Sequence, residues 1–211
     1  MKTQAILLVL ALLPLVLGGC AQPEKNPYEG DIVICLDAGH GGNASGAVLD
    51  QRLEKDDNLA MTLAVGSILE SRGAKVIYTR SDDTDVELQD RAAFANKMDA
   101  SMFVSFHRNA GGGQGAEVWI DKSPDRWEKS LATRIQSVMA RVGFTDRGVK
   151  RGTAGNSTIN YTVIGRTQMP ACLIELGFID NEADNDLLDT YWTELAEGIA
   201  EAILQEVGLA Q

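Results

Sequence analysis

Short apolar runs alternate with longer stretches of helical spacing along almost the whole chain, and this constrains the fold more than any other feature. Asp31–Asp37, Ala74–Thr79, Ser101–Phe106, Ala116–Ile120, Thr162–Gly165 and Ala171–Glu175 read as strands, most of them bounded by glycine or polar residues. Between them, Lys55–Ser71, Val86–Lys97 and Arg126–Val142 read as helices, and Tyr191–Val207 closes the chain as another. Leu59, Leu63 and Leu69 mark an apolar side of the first, with Gly73 just past its end. Asp82–Asp85 supply acidic groups ahead of the second. Leu195, Ile199, Ile203 and Val207 fall four apart on the last. Gly111–Gly115 is a loop, and Gly148–Asn160 is polar and irregular. Strands joined through helices require crossover connections, so the pattern predicts one α/β domain over residues 31–208. Its sheet is mostly parallel or mixed and twisted, with helices on both faces.

Residues 1–30 follow a different logic. Lys2 precedes an apolar run, Ala5–Leu17, of 13 residues. About 20 residues are needed to span a bilayer, so the run suits the apolar core of a secretory signal. Leu17-Gly18-Gly19-Cys20 resembles a bacterial lipoprotein signal, which implies cleavage of residues 1–19 and acylation of Cys20. Several acyl chains on one cysteine hold a protein at a membrane. Residues 20–30, polar and carrying Pro23 and Pro27, then form a tether. The expected location is the extracytoplasmic side of a bacterial envelope, with the membrane as a partner through Cys20. Cys35 and Cys172 lie in apolar runs and read as buried thiols, a disulfide between them remaining open.

A net charge of −11 at pH 7 argues against nucleic acid, whose phosphates need lysine and arginine. An acidic protein acting on an anionic wall must hold its substrate through a local site. Nothing in the sequence requires an oligomer, and a monomer is expected.

The chain has two histidines, His40 in Asp37-Ala-Gly-His-Gly-Gly42 and His107 in Ser105-Phe-His-Arg-Asn-Ala110. Each follows a predicted strand, and ligands of open α/β sheets gather at the carboxyl ends of strands. Either histidine alone is compatible with an ordinary loop residue. Glu54 stands just before the first helix, where an acid is also favoured by the helix dipole. Glu175 ends a buried run and is followed by Leu176-Gly177-Phe178, so it needs a partner or a function. Two imidazoles and one carboxylate can form a three-ligand zinc site with a position open to water, and a second carboxylate can serve as general base. His40, Glu54 and His107 are the candidate ligands, and Glu175 the candidate base.

Several ordered motifs add to this. Ile34–Gly42, Leu53–Asp56, Thr79–Asn96, Ser105–Ala110, Arg147–Lys150 and Met169–Asn181 together resemble the zinc-dependent N-acetylmuramoyl-L-alanine amidases of type 3. The resemblance implies Zn²⁺ on His40, Glu54 and His107, with Glu175 catalytic. It also implies a peptidoglycan or muropeptide substrate, cut between N-acetylmuramic acid and the first L-alanine of the stem. Two other functions remain open: a wall-binding or regulatory lipoprotein without activity, and a zinc amidase or peptidase of soluble muropeptides. No large insertion separates the second histidine loop from Glu175, so no blocking helix is expected. Ala38 stands where the family commonly has proline, and Arg108 where a small residue is common.

Arg80 and Arg91 could bind substrate carboxylates bidentately or pair with Asp83 and Asp90. Arg108 could meet a stem-peptide carboxylate or face solvent. Asn109 could orient substrate or ligand, or be structural. Asp37 could support a zinc histidine or stabilise its turn, and Asn181 caps the turn before the last helices.

Overall fold

The computed structural model describes residues 26–210. Residues 1–25, which include the expected signal, Cys20 and most of the tether, lie outside this range. Six strands form one mixed sheet: β1 (Val33–Ala38), β4 (Lys75–Tyr78), β5 (Met102–Asn109), β6 (Ala116–Ile120), β7 (Asp146–Arg151) and β8 (Ala171–Phe178). Their spatial order is β4-β1-β5-β8-β6-β7. The first four in this order are parallel, β6 is antiparallel to β8, and β7 is parallel to β6. Residues 110–115 are too few for a crossover, which takes a dozen or more residues, so the chain reverses after β5. Two short strands, β2 (Val48–Leu49) and β3 (Arg52–Leu53), form a separate hairpin.

The helices are α1 (Glu54–Ser71), α2 (Leu88–Lys97), α3 (Arg126–Val142), α4 (Thr162–Gly165), α5 (Glu182–Thr190) and α6 (Trp192–Val207). Side chains alternate across a strand, so each face of the sheet has its own core. Ile34, Leu36, Val104, Phe106 and Ile174 pack with residues of α1, α3 and α6. Cys35, Phe103, Leu173 and Trp119 pack with residues of α2 and α4 on the other face. Both expected free thiols are buried, Cys35 in one core and Cys172 in the other.

Three segments differ from the sequence reading. Thr162–Gly165 is a helical turn, α4, with Val163 and Ile164 packed on the smaller core; four residues are too few to carry a period of their own. Residues 146–151, whose part from Gly148 on was read as irregular, form the edge strand β7. Its exposed flank and Gly148 hide the strand pattern. Residues 182–190 form α5, capped by the Asn181 side chain accepting from the Asp184 amide.

The charged interior sits beneath one end of the sheet. Asp37 and Arg91 are both buried, and Arg91 Nη1 donates to Asp37 Oδ1 at 2.9 Å. Thr79 and Ser105 hydroxyls complete the carboxylate, at 2.5 and 2.6 Å. Removing one partner strands a charge in the interior. Arg91→Met is therefore expected to cost about 3–5 kcal/mol of folding stability, measured by urea titration; a loss under 1 kcal/mol would show the pair to be dispensable.

Candidate metal centre

The three candidate ligands come from distant parts of the chain and converge. Glu54 Oε1 lies 3.1 Å from His40 Nε2 and 3.0 Å from His107 Nδ1. One donor atom from each residue falls within 4.8 Å of the others. Metal–ligand bonds of about 2.0–2.1 Å in a tetrahedral site put donor atoms roughly 3.3–3.5 Å apart. A carboxylate between two imidazoles has the right donor chemistry for a divalent ion, and the spacing needs little adjustment. These three residues could hold a metal.

Each ligand is placed by a local device. His40 adopts a left-handed backbone, φ 62°, at the turn after β1. That region is unusual for a residue with a side chain. Arginine side chains hold the turn: Arg91 donates to the carbonyls of Ala38 and His40, and Arg80 to those of Ala38 and Gly39. Glu54 is the first residue of α1, and its Oε2 accepts from the Ala47 amide at 2.8 Å. Its Oε1 also accepts from the Arg108 amide at 3.1 Å. Burial alone would raise the Glu54 pKa, but hydrogen bonding to His107 and His40 outweighs it and holds the carboxyl below the usual carboxylate range. His107 lies inside β5, not after it, because the strand continues to Asn109.

Two glycines leave the space the ligands occupy. A methyl group on Gly39 would come within 2.3 Å of the His107 ring, and one on Gly46 within 2.5 Å of Glu54 Oε2. Gly39→Ala is expected to displace the His107 ring and lower metal affinity at least tenfold while the fold persists. Isothermal titration with Zn²⁺, beside a circular dichroism melt, checks this; unchanged affinity would mean the ring tolerates the methyl group.

Glu175 sits within β8, paired in register with His107 on β5 and with Glu117 on β6. Residues in register share a face, so Glu175 stands beside the ligand cluster. It is buried, and its Oε2 has no hydrogen-bond partner among the described residues. Burial, then the Glu54 and Glu117 carboxylates, push its pKa well above the usual range, with Arg108 opposing.

The arginines expected at the substrate are placed otherwise. Arg80 donates to carbonyls of Ala38, Gly39, Lys55 and Asp82, and Asp83 pairs with Lys55 instead. Arg91 pairs with Asp37, not Asp90. Arg108 neither faces solvent nor reaches the cleft: its guanidinium is buried against Asp57, Asn185 and the Gly177 carbonyl. β5 ends in a register shift between His107 and Asn109, which turns Arg108 to the α1–α5 side. Asn109 Nδ2 donates to Glu117 Oε1. Glu117 itself escaped the sequence reading, although a lone acid in the buried run Ala116–Ile120 was a signal.

Known proteins resemble this chain in sequence and in fold. Residues 34–205 match the N-acetylmuramoyl-L-alanine amidase family. The uncharacterized protein YqiI of Bacillus subtilis is 39% identical over 202 residues, covering 93% of this chain and 94% of YqiI. N-acetylmuramoyl-L-alanine amidase LytC of the same organism is 34% identical over 87% of this chain, which spans 36% of LytC. The catalytic domain of CwlV, an N-acetylmuramoyl-L-alanine amidase from Bacillus (Paenibacillus) polymyxa var. colistinus, superposes with a TM-score of 0.75 at 35% identity, covering 84% of this chain and 99% of that domain. From its matched length, its fold and its relatives, the chain belongs to the N-acetylmuramoyl-L-alanine amidase family.

Proposed function

We propose that the protein is a zinc-dependent N-acetylmuramoyl-L-alanine amidase of the bacterial cell wall. It hydrolyses the amide between the lactyl carbonyl of N-acetylmuramic acid and the amine of the first L-alanine. The observation that carries this reading is the convergence of His40, Glu54 and His107 beside a buried carboxyl, Glu175, with an unpartnered oxygen. His40 Nε2, Glu54 and His107 Nδ1 would hold the ion. When bound, it polarises the scissile carbonyl and acidifies water.

The chain's own groups do the rest. Glu175 takes the proton of the attacking water, and its burial beside the Glu54 and Glu117 carboxylates raises its affinity for that proton. The same carboxyl then delivers the proton to the leaving alanine nitrogen, so cleavage needs no second acid. Family members act on cell-wall material, and the −11 charge makes a local grip on the substrate necessary.

Residues 1–19 act as a lipoprotein signal and Cys20 carries the lipid, so the domain works as a monomer tethered to the envelope membrane. Among the described residues no helix is long and apolar enough to cross a membrane. Incorporation of labelled palmitate into the full-length chain, lost in Cys20→Ala, tests the anchor. Product analysis on purified peptidoglycan, with and without chelator, tests the activity. Free intact stem peptides and a bare muramoyl glycan are expected, without an added activator. Shortened peptides would replace the amidase reading by a peptidase.

A further inference from the structure

Four strands carry a single row of polar side chains across the sheet. His107 on β5 pairs in register with Glu175 on β8, and Glu175 with Glu117 on β6. Arg147 on β7 continues the row, its Nε donating to Glu117 Oε2 at 2.8 Å. The β6–β7 register shifts between Ala116 and Val118, which brings Arg147 beside Glu117. Glu117 is buried and fully used: Asn109 and Trp119 donate to its other oxygen, at 3.0 and 3.1 Å. The Arg147 guanidinium also lies 4.9 Å over the Phe178 ring.

Nη1 donates to the Gln114 carbonyl at 3.4 Å, so Arg147 is held at Nε, at Nη1 and on its face but not consumed. Its side chain is 36% exposed, and its Nη2 has no partner among the described residues. Arg80, Arg91 and Arg108 are each only 2–4% exposed. Of these four arginines, Arg147 is the one that can meet a ligand. A guanidinium fixed at Nε by a carboxylate, with only a long contact at Nη1, still offers Nη2 to another carboxylate.

The other side of the ligand cluster has the opposite character. A cavity of about 320 Å³ there opens from His40 and His107, with the one cation in its lining, Arg91, buried and paired with Asp37, and with exposed Asp85 and Glu87 beside Val86 and Leu88. Two acids at its rim repel a carboxylate and accept an uncharged sugar more readily. Peptidoglycan is asymmetric in the same sense: N-acetylated sugars lie on one side of the scissile amide, and a peptide with free carboxyls on the other.

On the amidase reading above, we propose that Arg147 is a substrate-binding residue that receives a stem-peptide carboxylate and so sets the direction in which the substrate crosses the site. Two strand spacings of about 4.8 Å separate Glu175 from Arg147, roughly 10 Å in all, which an extended peptide covers in about three residues. The carboxylate is thus carried by the second or third residue of the stem.

The test uses the zinc-loaded protein and two muramoyl tripeptides, one with the carboxyls of residues two and three free, the other with both as carboxamides. Wild type is expected to favour the acid in kcat/KM by roughly tenfold or more, the scale of one charge-assisted hydrogen-bonded pair. Arg147→Gln should erase that preference by slowing the acid substrate alone, and Arg147→Lys should keep part of it. Equal rates on both substrates in wild type, needing no variant, would overturn the assignment. So would an equal loss on both in Arg147→Gln. Release of no peptide from either substrate by wild type would overturn the amidase reading itself, and the Arg147 assignment with it.

Discussion

Glu175→Ala should bind zinc normally and turn over purified peptidoglycan at least about 10²-fold more slowly, as loss of a positioned base implies. The reasoning is geometric. Glu175 stands beside the ligand cluster, while the cluster's short contacts run among His40, Glu54 and His107. Its unpartnered Oε2 means that truncation breaks no hydrogen bond to that oxygen. Near-normal turnover in the variant, measured as reducing-end-free release of stem peptides, would remove Glu175 from the mechanism. Loss of metal together with activity would make it a ligand instead.

Glu54→Gln should abolish both. Zinc content after dialysis is expected to fall below one tenth per chain, with activity down to the level of chelated wild type. The carboxylate lies between the two imidazoles and satisfies the Ala47 and Arg108 amides as well. An amide in its place donates where it must accept, so one of those amides loses its partner, at roughly 1–3 kcal/mol. A modest drop in melting temperature should accompany the loss of metal. Full zinc content in this variant, by atomic absorption, would place the metal elsewhere.

How much of this was legible beforehand varies with the physics of each element. α3 was read to the residue from Leu131, Ile135, Val138 and Val142 near helical spacing, and the structure adds an Asp125–Glu128 capping box and Gly143 in a left-handed cap at its ends. The parallel strands were legible as buried apolar runs, and the helices on both faces followed from the crossovers. β7 was not, since an edge strand with polar residues and Gly148 has no alternating pattern to read. His40, Glu54 and His107 could be named from their positions near strand and helix ends. The arginines could not be assigned, because sequence does not say whether a guanidinium is enclosed. Arg80 and Arg91 prove to be internal braces, and Arg108 ties α1 to α5 through Asp57 and Asn185. Glu117 and Arg147 are adjacent only through the β6–β7 pairing, which nothing local to either residue announces.

The arginine-braced turn after β1 has a corollary for the metal site. The carbonyls of Ala38, Gly39 and His40 are capped from within by the guanidiniums of Arg80 and Arg91, so the bend that presents His40 is tied to two buried side chains from distant parts of the chain. These bonds join groups of the chain itself, so a bound metal would use the His40 side chain without drawing on the carbonyls of its turn.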